Sequence, residues 1–508
     1  MFLQIASYLV LALIAVVTVV YMLIQRQFTH WERKGIPYVK PESYLGTYAD
    51  IVRSKKSVAE LLTELWGKIK ADRFGGIWEL FSPRLFIADA DLLRDIMTKN
   101  FDSWTSRGLP INPEVDPLSQ HVVMLEGKMW KGVRAKLTPT FTSARLKQMH
   151  YLLLECAKDL EKYLDSLAQR NESFEAREVS AKFTTDVIGS CVFGIRMNSL
   201  GDEDAAFRKM GKRIVETTLR SRFALLMQSS SPWLFKKLKL SLTPPDVEKF
   251  FIKITKEAFD YREKNNVQRH DFIDLLRKLK NVDQPRGEDE IVFDDALLAA
   301  QAFVFFGAGF ETSSTTIGYA LHELAVHQDI QDRLRGELRE MKVANNGEIT
   351  WDGLHHMKYL DMVFQETLRK YPPIPQVGRV SVKPYQIPGT DIVLPTGSKC
   401  IVPIYAVHHN PEYWPNPEKF IPERFTEEAK AHRQPYTFLP FGGGPRNCIG
   451  ARFAEQQSKL GIITAIDKFK LSLCEKSQNP IQYKKGARFL HAEHGVWVKA
   501  TRLGADDN

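Results

Sequence analysis

The sequence predicts a mainly α protein with smaller β-sheets (an α+β fold), built as one large catalytic body behind an N-terminal transmembrane anchor. Helical periodicity dominates from about Val58 to Leu368, with apolar residues recurring at helical spacing in stretches such as Leu152, Leu153, Leu154, Cys156, Leu160, Tyr163 and Leu164. Between Tyr385 and Cys400 the chain changes to short apolar pieces separated by Pro388-Gly389 and Pro395-Thr396-Gly397, which reads as hairpins. No repeat, low-complexity tract or linker interrupts the 508 residues, so one body is expected although the length would accommodate several domains.

Composition narrows the function class. Hydrophobic residues make up 44% and charged residues 26%, which excludes a disordered chain, a collagen-like chain and a polytopic membrane protein. The net charge of +9 suits anionic lipid or an acidic protein partner, and it is not concentrated on one module as nucleic-acid binding would require. Five cysteines stand far apart with no CxxC pair, which argues against a disulfide framework or a zinc cluster and for a reducing compartment.

Taken in order, Ile5 to Ile24 is an uncharged run long enough, at about 1.5 Å per residue, to cross a bilayer core. Nothing basic precedes it except the amino terminus, whereas Arg26, Arg33 and Lys34 follow it. That asymmetry favours an uncleaved anchor over a cleaved signal and puts the rest of the chain in the cytosol. The expected division is an anchor helix at 1–25, a basic and proline-containing hinge at 26–41, and a cytosolic body at 42–508. Within the body, Arg220 to Leu242 sets Phe223, Leu225, Leu226, Met227, Trp233 and Phe235 beside Lys236, Lys237 and Lys239. This segment reads equally as an interfacial membrane contact or as an ordinary amphipathic helix. Asn410 to Pro440 is expected to be an irregular loop, followed by a helix near Ala451 to Phe469 and closing strands.

The densest chemical signal is Phe441-Gly442-Gly443-Gly444-Pro445-Arg446-Asn447-Cys448-Ile449-Gly450. Its glycines permit a tight turn and a close approach to a flat ligand. Backbone N–H groups and the start of a following helix are placed to stabilise a thiolate at Cys448, and Arg446 to pair with a carboxylate. The loop resembles the haem-ligand loop of the cytochromes P-450, the haem–thiolate monooxygenases. The resemblance implies the cytochrome P-450 fold, haem b (iron protoporphyrin IX) and Cys448 as the axial iron ligand.

Other motifs follow in the order of that family. Ala308-Gly309-Phe310-Glu311-Thr312 lies in a long apolar helix, roughly Phe293 to Val326, where Gly307 and Gly309 each cost about 1 kcal/mol relative to Ala and so point to a close approach. Thr312 can bond back to the Ala308 carbonyl. The resemblance makes this the oxygen-binding groove, with Thr312 holding oxygen and water, Glu311 helping to relay protons and Ala308 against the haem. Glu366-Thr367-Leu368-Arg369 puts an acid and a base one turn apart; with Arg424 in Pro422-Glu423-Arg424-Phe425 it resembles the family's buried charge network. Trp130 and Arg134, four residues apart, with Arg379 and Arg446, correspond to the cations that meet haem propionates, while Phe441 and Gly450 flank the iron ligand. Arg107 is a looser match to the same group. Phe303, Phe306, Phe310, Ile374 and Val377 are the expected apolar pocket wall, and Pro375-Gln376-Val377-Gly378 departs from relatives in a stretch that lines the substrate pocket.

The resemblance spans about Gly35 to Val498 and is nearest to insect microsomal, xenobiotic-metabolising members. It implies an oxidoreductase of the endoplasmic reticulum membrane that spends NADPH and O2 on hydroxylation, epoxidation or dealkylation of small lipophilic substrates such as plant toxins or insecticides. Electrons would come from NADPH–cytochrome P-450 reductase, with cytochrome b5 as an optional second donor. The alternatives are an endogenous lipid, hormone or pheromone as substrate, a haem–thiolate isomerase that needs no reductase, and a non-catalytic haem sensor or carrier. The last two would have little use for the Glu311-Thr312 pair.

Overall fold

Helix Asp295–Val326 runs for 32 residues through the middle of the protein, about 48 Å at the standard rise. It starts where Asp294 accepts a hydrogen bond from the Leu297 N–H at 2.7 Å, and it contains no proline to break it. It is buried on most sides because helices Ala176–Ile188 and Ala451–Asp467 pack against it. The computed structural model describes residues 2–202, 205–216, 218–269, 271–280, 291–487 and 489–504.

The protein is mainly helical with three small sheets. The strands are β1 (Phe74–Glu79), β2 (Ser82–Ile87), β3 (Ser173–Glu175), β4 (Val377–Val380), β5 (Tyr385–Gln386), β6 (Val393–Leu394), β7 (Lys399–Val402), β8 (Phe469–Ser472) and β9 (Trp497–Arg502). Their order is β1-β2-β7-β4 in one sheet and β3-β9-β8 in another, with β5-β6 as a separate hairpin. The hairpin read at Pro388-Gly389 is therefore present. The turn at Pro395-Thr396-Gly397 does not join paired neighbours: β7 passes β6 and pairs instead with β2 and β4, setting Cys400 opposite both Leu85 and Arg379. The β1–β2 hairpin lies inside the stretch read as helical. Its burial is nearly continuous, so it lacks the alternation that marks a half-exposed strand. The 410–440 stretch is largely irregular as expected, broken by a 3-10 turn at Pro422–Phe425 and the short helix Glu427–His432.

Two apolar clusters form the core. The larger surrounds the central helix, and the smaller gathers the four-stranded sheet, helix Val58–Ile69 and the segment after the first helix. That first helix spans Phe2–Phe28 and is exposed along its apolar length, as a candidate membrane anchor would be. The 26–41 stretch, set apart above as a hinge, is packed onto the body. Trp31 is 2% exposed and donates its indole N–H to the Ile77 carbonyl at 3.1 Å, and Trp78 donates to the Gln27 carbonyl at 3.0 Å. Trp31 lies over Gly76, where a Cβ would fall 2.2 Å from the ring.

Candidate functional site

The cysteine loop is shaped by its neighbours. Gly444 has φ +67°, and a Cβ there would lie 1.7 Å from the Met97 carbonyl oxygen, so both the turn and the packing demand glycine. The Cys448 N–H donates to the Phe441 carbonyl at 2.9 Å, closing the loop, and Gly450 caps helix Ala451–Asp467. Helix Gly127–Leu137 docks on this loop: Arg134 donates to the Asn447 carbonyl at 2.9 Å and to Asn447 Oδ1 at 2.8 Å, and the Arg446 guanidinium stacks 4.2 Å over Trp130.

Cys448 borders open space, yet protein surrounds it on most sides. Burial pushes its thiol above the ordinary value, outweighing the Gly450 N–H and the charges of Arg134 and Arg107. Burial thus works against the thiolate expected at Cys448, and the surrounding donors work for it. The surrounding donors reduce the cost of the anion, and a bound cation has to supply the rest.

Four arginines surround the loop: Arg107, Arg134, Arg379 and Arg446. Arg446 donates to the Leu125 carbonyl at 2.8 Å and Arg107 to the Arg446 carbonyl at 3.1 Å, but none of the four is paired with a carboxylate among the described residues. Arg107 Nε, Arg379 Nε, and Arg446 Nε and Nη1 are buried without any partner. Burial, together with the charges of Arg379 and Arg446, brings Arg107 down to about 9; burial, then Arg379 and Arg134, brings Arg446 down to about 10. Buried cations without anions are costly, so this cluster fits a ligand carrying more than one carboxylate, as a porphyrin does. His121 lies near enough to Arg107 to feel its charge, and its ring centre is 6.3 Å from that of Phe303 on the central helix.

On the central helix the positions at least partly open to space include Phe303, Val304, Gly307, Ala308, Glu311 and Thr312, which form one face at helical spacing. Ala308 is exposed in the middle of an otherwise covered helix. Thr312 Oγ1 donates back to the Ala308 carbonyl at 2.7 Å, as its position in the sequence allows. The next two carbonyls also accept side-chain hydrogen bonds, Gly309 from Gln457 at 2.9 Å and Phe310 from Thr184 at 3.0 Å. Gln457 also donates to Ser313 Oγ at 2.5 Å. It lies about 10 Å along its helix from Gly450, so it ties the notch directly to the element that begins at the cysteine loop. Neither Gln457 nor His121 was singled out in the sequence; a glutamine inside a helix carries no signal without its partner.

Several expectations change. The close approach at Gly309 is made by Ile188, which a Cβ would meet at 2.5 Å, so that glycine serves helix packing; Gly307 is open. Phe306 and Phe310 are fully buried in an aromatic cluster where Phe251, Phe207 and Phe310 stand 5.0, 5.5 and 5.2 Å from Phe306. Packed in that cluster, they belong to the core rather than a pocket wall. Phe303 keeps a place on the open face, beside Val304, which the sequence reading passed over. Ile374 and Val377 are half-buried, Val377 against the smaller core, and the unusual Gln376 accepts a hydrogen bond from the Tyr48 hydroxyl at 2.7 Å. Glu311 is ion-paired to Arg177, with His491 Nε2 at 3.3 Å. Burial would raise its carboxyl, but the His491 hydrogen bond and the Arg177 charge outweigh that and hold it down to about 2.

Away from this cluster, Glu366 and Arg369 are 0% exposed and doubly bonded at 2.7 and 2.8 Å. Arg369 also reaches the carbonyls of His408 and Lys419, Glu366 accepts from the Ile421 N–H, and Arg424 lies 3.4 Å from Glu366.

An open-loop cysteine, a notched helix and a ring of unpaired cations define the frame of a haem–thiolate protein. The family model for cytochrome P450 matches residues 44–499, and the chain belongs to that family. It is 39% identical to the probable cytochrome P450 6a14 of Drosophila melanogaster over 97% of this chain and 99% of that protein. It is 38% identical to cytochrome P450 6A1 of Musca domestica over 98% of this chain and 97% of that one. The protein is accordingly a monooxygenase that uses haem b, O2 and electrons derived from NADPH.

Proposed function

We propose that this monooxygenase works at the endoplasmic reticulum membrane on lipophilic foreign compounds, plant toxins and insecticides among them. The single observation that carries the site reading is the ring of buried, anion-free arginines around Cys448. Cys448, as a thiolate, would hold the iron, and Arg134, Arg379 and Arg446, joined by Arg107 and Trp130, would receive the propionates. Phe441, Gly450 and Ala308 would bound the porphyrin. Bound haem supplies oxygen activation, favoured by thiolate donation.

The chain's own residues do the remainder. Thr312 Oγ1, held by the Ala308 carbonyl, is placed to orient water and oxygen in the notch, and Glu311 stands beside it to govern protons. Phe303, Val304, Gly307 and Ala308 present an apolar face with few polar handles, which suits substrates that partition into lipid. Glu366, Arg369 and Arg424 would brace the fold beneath.

Electrons would enter from NADPH–cytochrome P450 reductase, with cytochrome b5 as a second donor, through the basic side near the cysteine. The Phe2–Phe28 helix would anchor the protein, with the catalytic body cytosolic. Leu219, Phe223, Trp233 and Leu238 are exposed in and around the 220–242 segment next to Lys236 and Lys237, which favours contact with the bilayer surface. Reconstitution with reductase and a panel of lipophilic compounds, scored by product mass, tests the substrate class. Oxygenated products from structurally unrelated compounds are expected; turnover confined to one endogenous lipid or hormone would replace the xenobiotic reading.

A further inference from the structure

Three segments far apart in sequence meet at Glu311. Arg177 comes from the first turn of helix Ala176–Ile188, Glu311 from the central helix, and His491 from the loop before β9. The loop is fastened there: Tyr319, one turn beyond the Ser314–Thr316 stretch of the central helix, donates its hydroxyl to the Leu490 carbonyl at 2.7 Å, next to His491. Arg177 and His491 both meet the same oxygen, Glu311 Oε1. Oε2 is given no protein partner by these contacts. The carboxylate shares its helix face with Thr312 and Ala308, while the His491 side chain is 27% exposed and so reaches solvent.

We propose that Arg177 and His491 are positioning residues that clamp Glu311 by one oxygen, and that His491 is the door through which protons from solvent reach the Thr312 notch. This rests on the reading that Glu311 and Thr312 face the oxygen site. The Arg177 and His491 contacts on one oxygen favour the ionised carboxylate, so Glu311 carries a proton only in passing. The proton has to arrive through a partner. The Nε2–H bond of His491 breaks, its proton passes to Glu311, and Glu311 hands it to water at Thr312; the imidazole then takes a new proton from solvent. No electrons move and charge is conserved. Arg177 has no role in the transfer. It holds Oε1 in place and keeps the carboxylate anionic between transfers. The other ionisable groups facing this cluster are Glu175, which lies beside Arg177, and Tyr319.

The test uses the full-length holoenzyme with an NADPH-dependent reductase. In His491→Ala, product formed per NADPH should fall about ten-fold or more, with a matching rise in peroxide, as expected for loss of a proton-transfer group. Haem content and the carbon monoxide spectrum should stay as in the parent, and His491→Lys, which keeps an N–H donor at this position, should restore part of the coupling. His491→Gln should uncouple as His491→Ala does, because an amide cannot pass the proton on. A readout independent of turnover is acylation of His491 by diethyl pyrocarbonate, followed by mass spectrometry: Glu311→Gln should accelerate it by releasing the imidazole. If His491→Ala couples like the parent while Thr312→Ala uncouples, the proton-door proposal is overturned and the reading of the notch stands. If neither substitution uncouples, the reading of the notch falls and takes the proposal with it. Loss in His491→Ala without rescue in His491→Lys, or with a shifted carbon monoxide spectrum, marks a purely structural role and also overturns the proposal.

Discussion

Two groups of arginines differ in what neutralises them. Around Glu366, every guanidinium nitrogen of Arg369 is answered from inside the chain, by a carboxylate and by the carbonyls of His408 and Lys419, at 0% exposure. Around Cys448, Arg379 and Arg446 are each 2% exposed, and each has guanidinium nitrogens with no partner. The first group has its charge neutralised from inside the chain and serves stability, even though Arg424 Nε, 3.4 Å from Glu366, makes no hydrogen bond. The second is complete only when an anion arrives. Sequence alone could not make this distinction, because an arginine reads the same whether or not its partner is protein.

The most drastic way to break the contrast is Cys448→Ala. It should abolish haem retention as a thiolate complex, seen as complete loss of the characteristic carbon monoxide difference spectrum; an unchanged spectrum would refute the assignment. Next, Glu366→Gln strands the buried Arg369 charge and should destabilise the fold by about 3–5 kcal/mol in denaturant titrations. Arg446→Met should do the opposite in haem-free protein, leaving stability equal or higher, while weakening haem binding by about 1–3 kcal/mol. Equal destabilisation by both substitutions would erase the distinction. On the central helix, Phe306→Ala in the core should cost about 3–5 kcal/mol with an unchanged product pattern, whereas Val304→Phe on the open face should alter which products form at little cost in stability. Thr312→Ala should keep haem and divert electrons to peroxide; unaffected coupling of NADPH to product removes its assigned role. The smallest effect concerns pH. Because burial raises the Cys448 thiol, the neutral form dominates at pH 7, so iodoacetamide should label it in haem-free protein more slowly than free cysteine and accelerate as pH rises. Rapid labelling at pH 6 would mean the loop preforms the anion.

Features that depend on local chain chemistry were legible in the sequence. The Gly444 turn, the Thr312 back-bond, the hairpin at Pro388-Gly389 and the helix beginning at Ala451 all follow from neighbours within a few positions. Features that depend on distant partners were not. β7 pairs with β4 rather than β6, Gln457 reaches Gly309 across 148 positions, and Arg177 and His491 converge on Glu311 only once three segments are folded together. The apolar wall lay between these cases. Every position of a helix buried on most sides looks apolar, so the face could not be chosen until Phe306 and Phe310 were seen packed inside their aromatic cluster.

The docking of Trp31 over Gly76 has a mechanical consequence. The stalk and the globule are geared together with no swivel between them, so the azimuth of the long leading helix sets the compass bearing of the whole molecule. Inserting one residue ahead of Thr29 would rotate that helix about 100° relative to the body, turning the body against it without touching a single atom of the reaction centre.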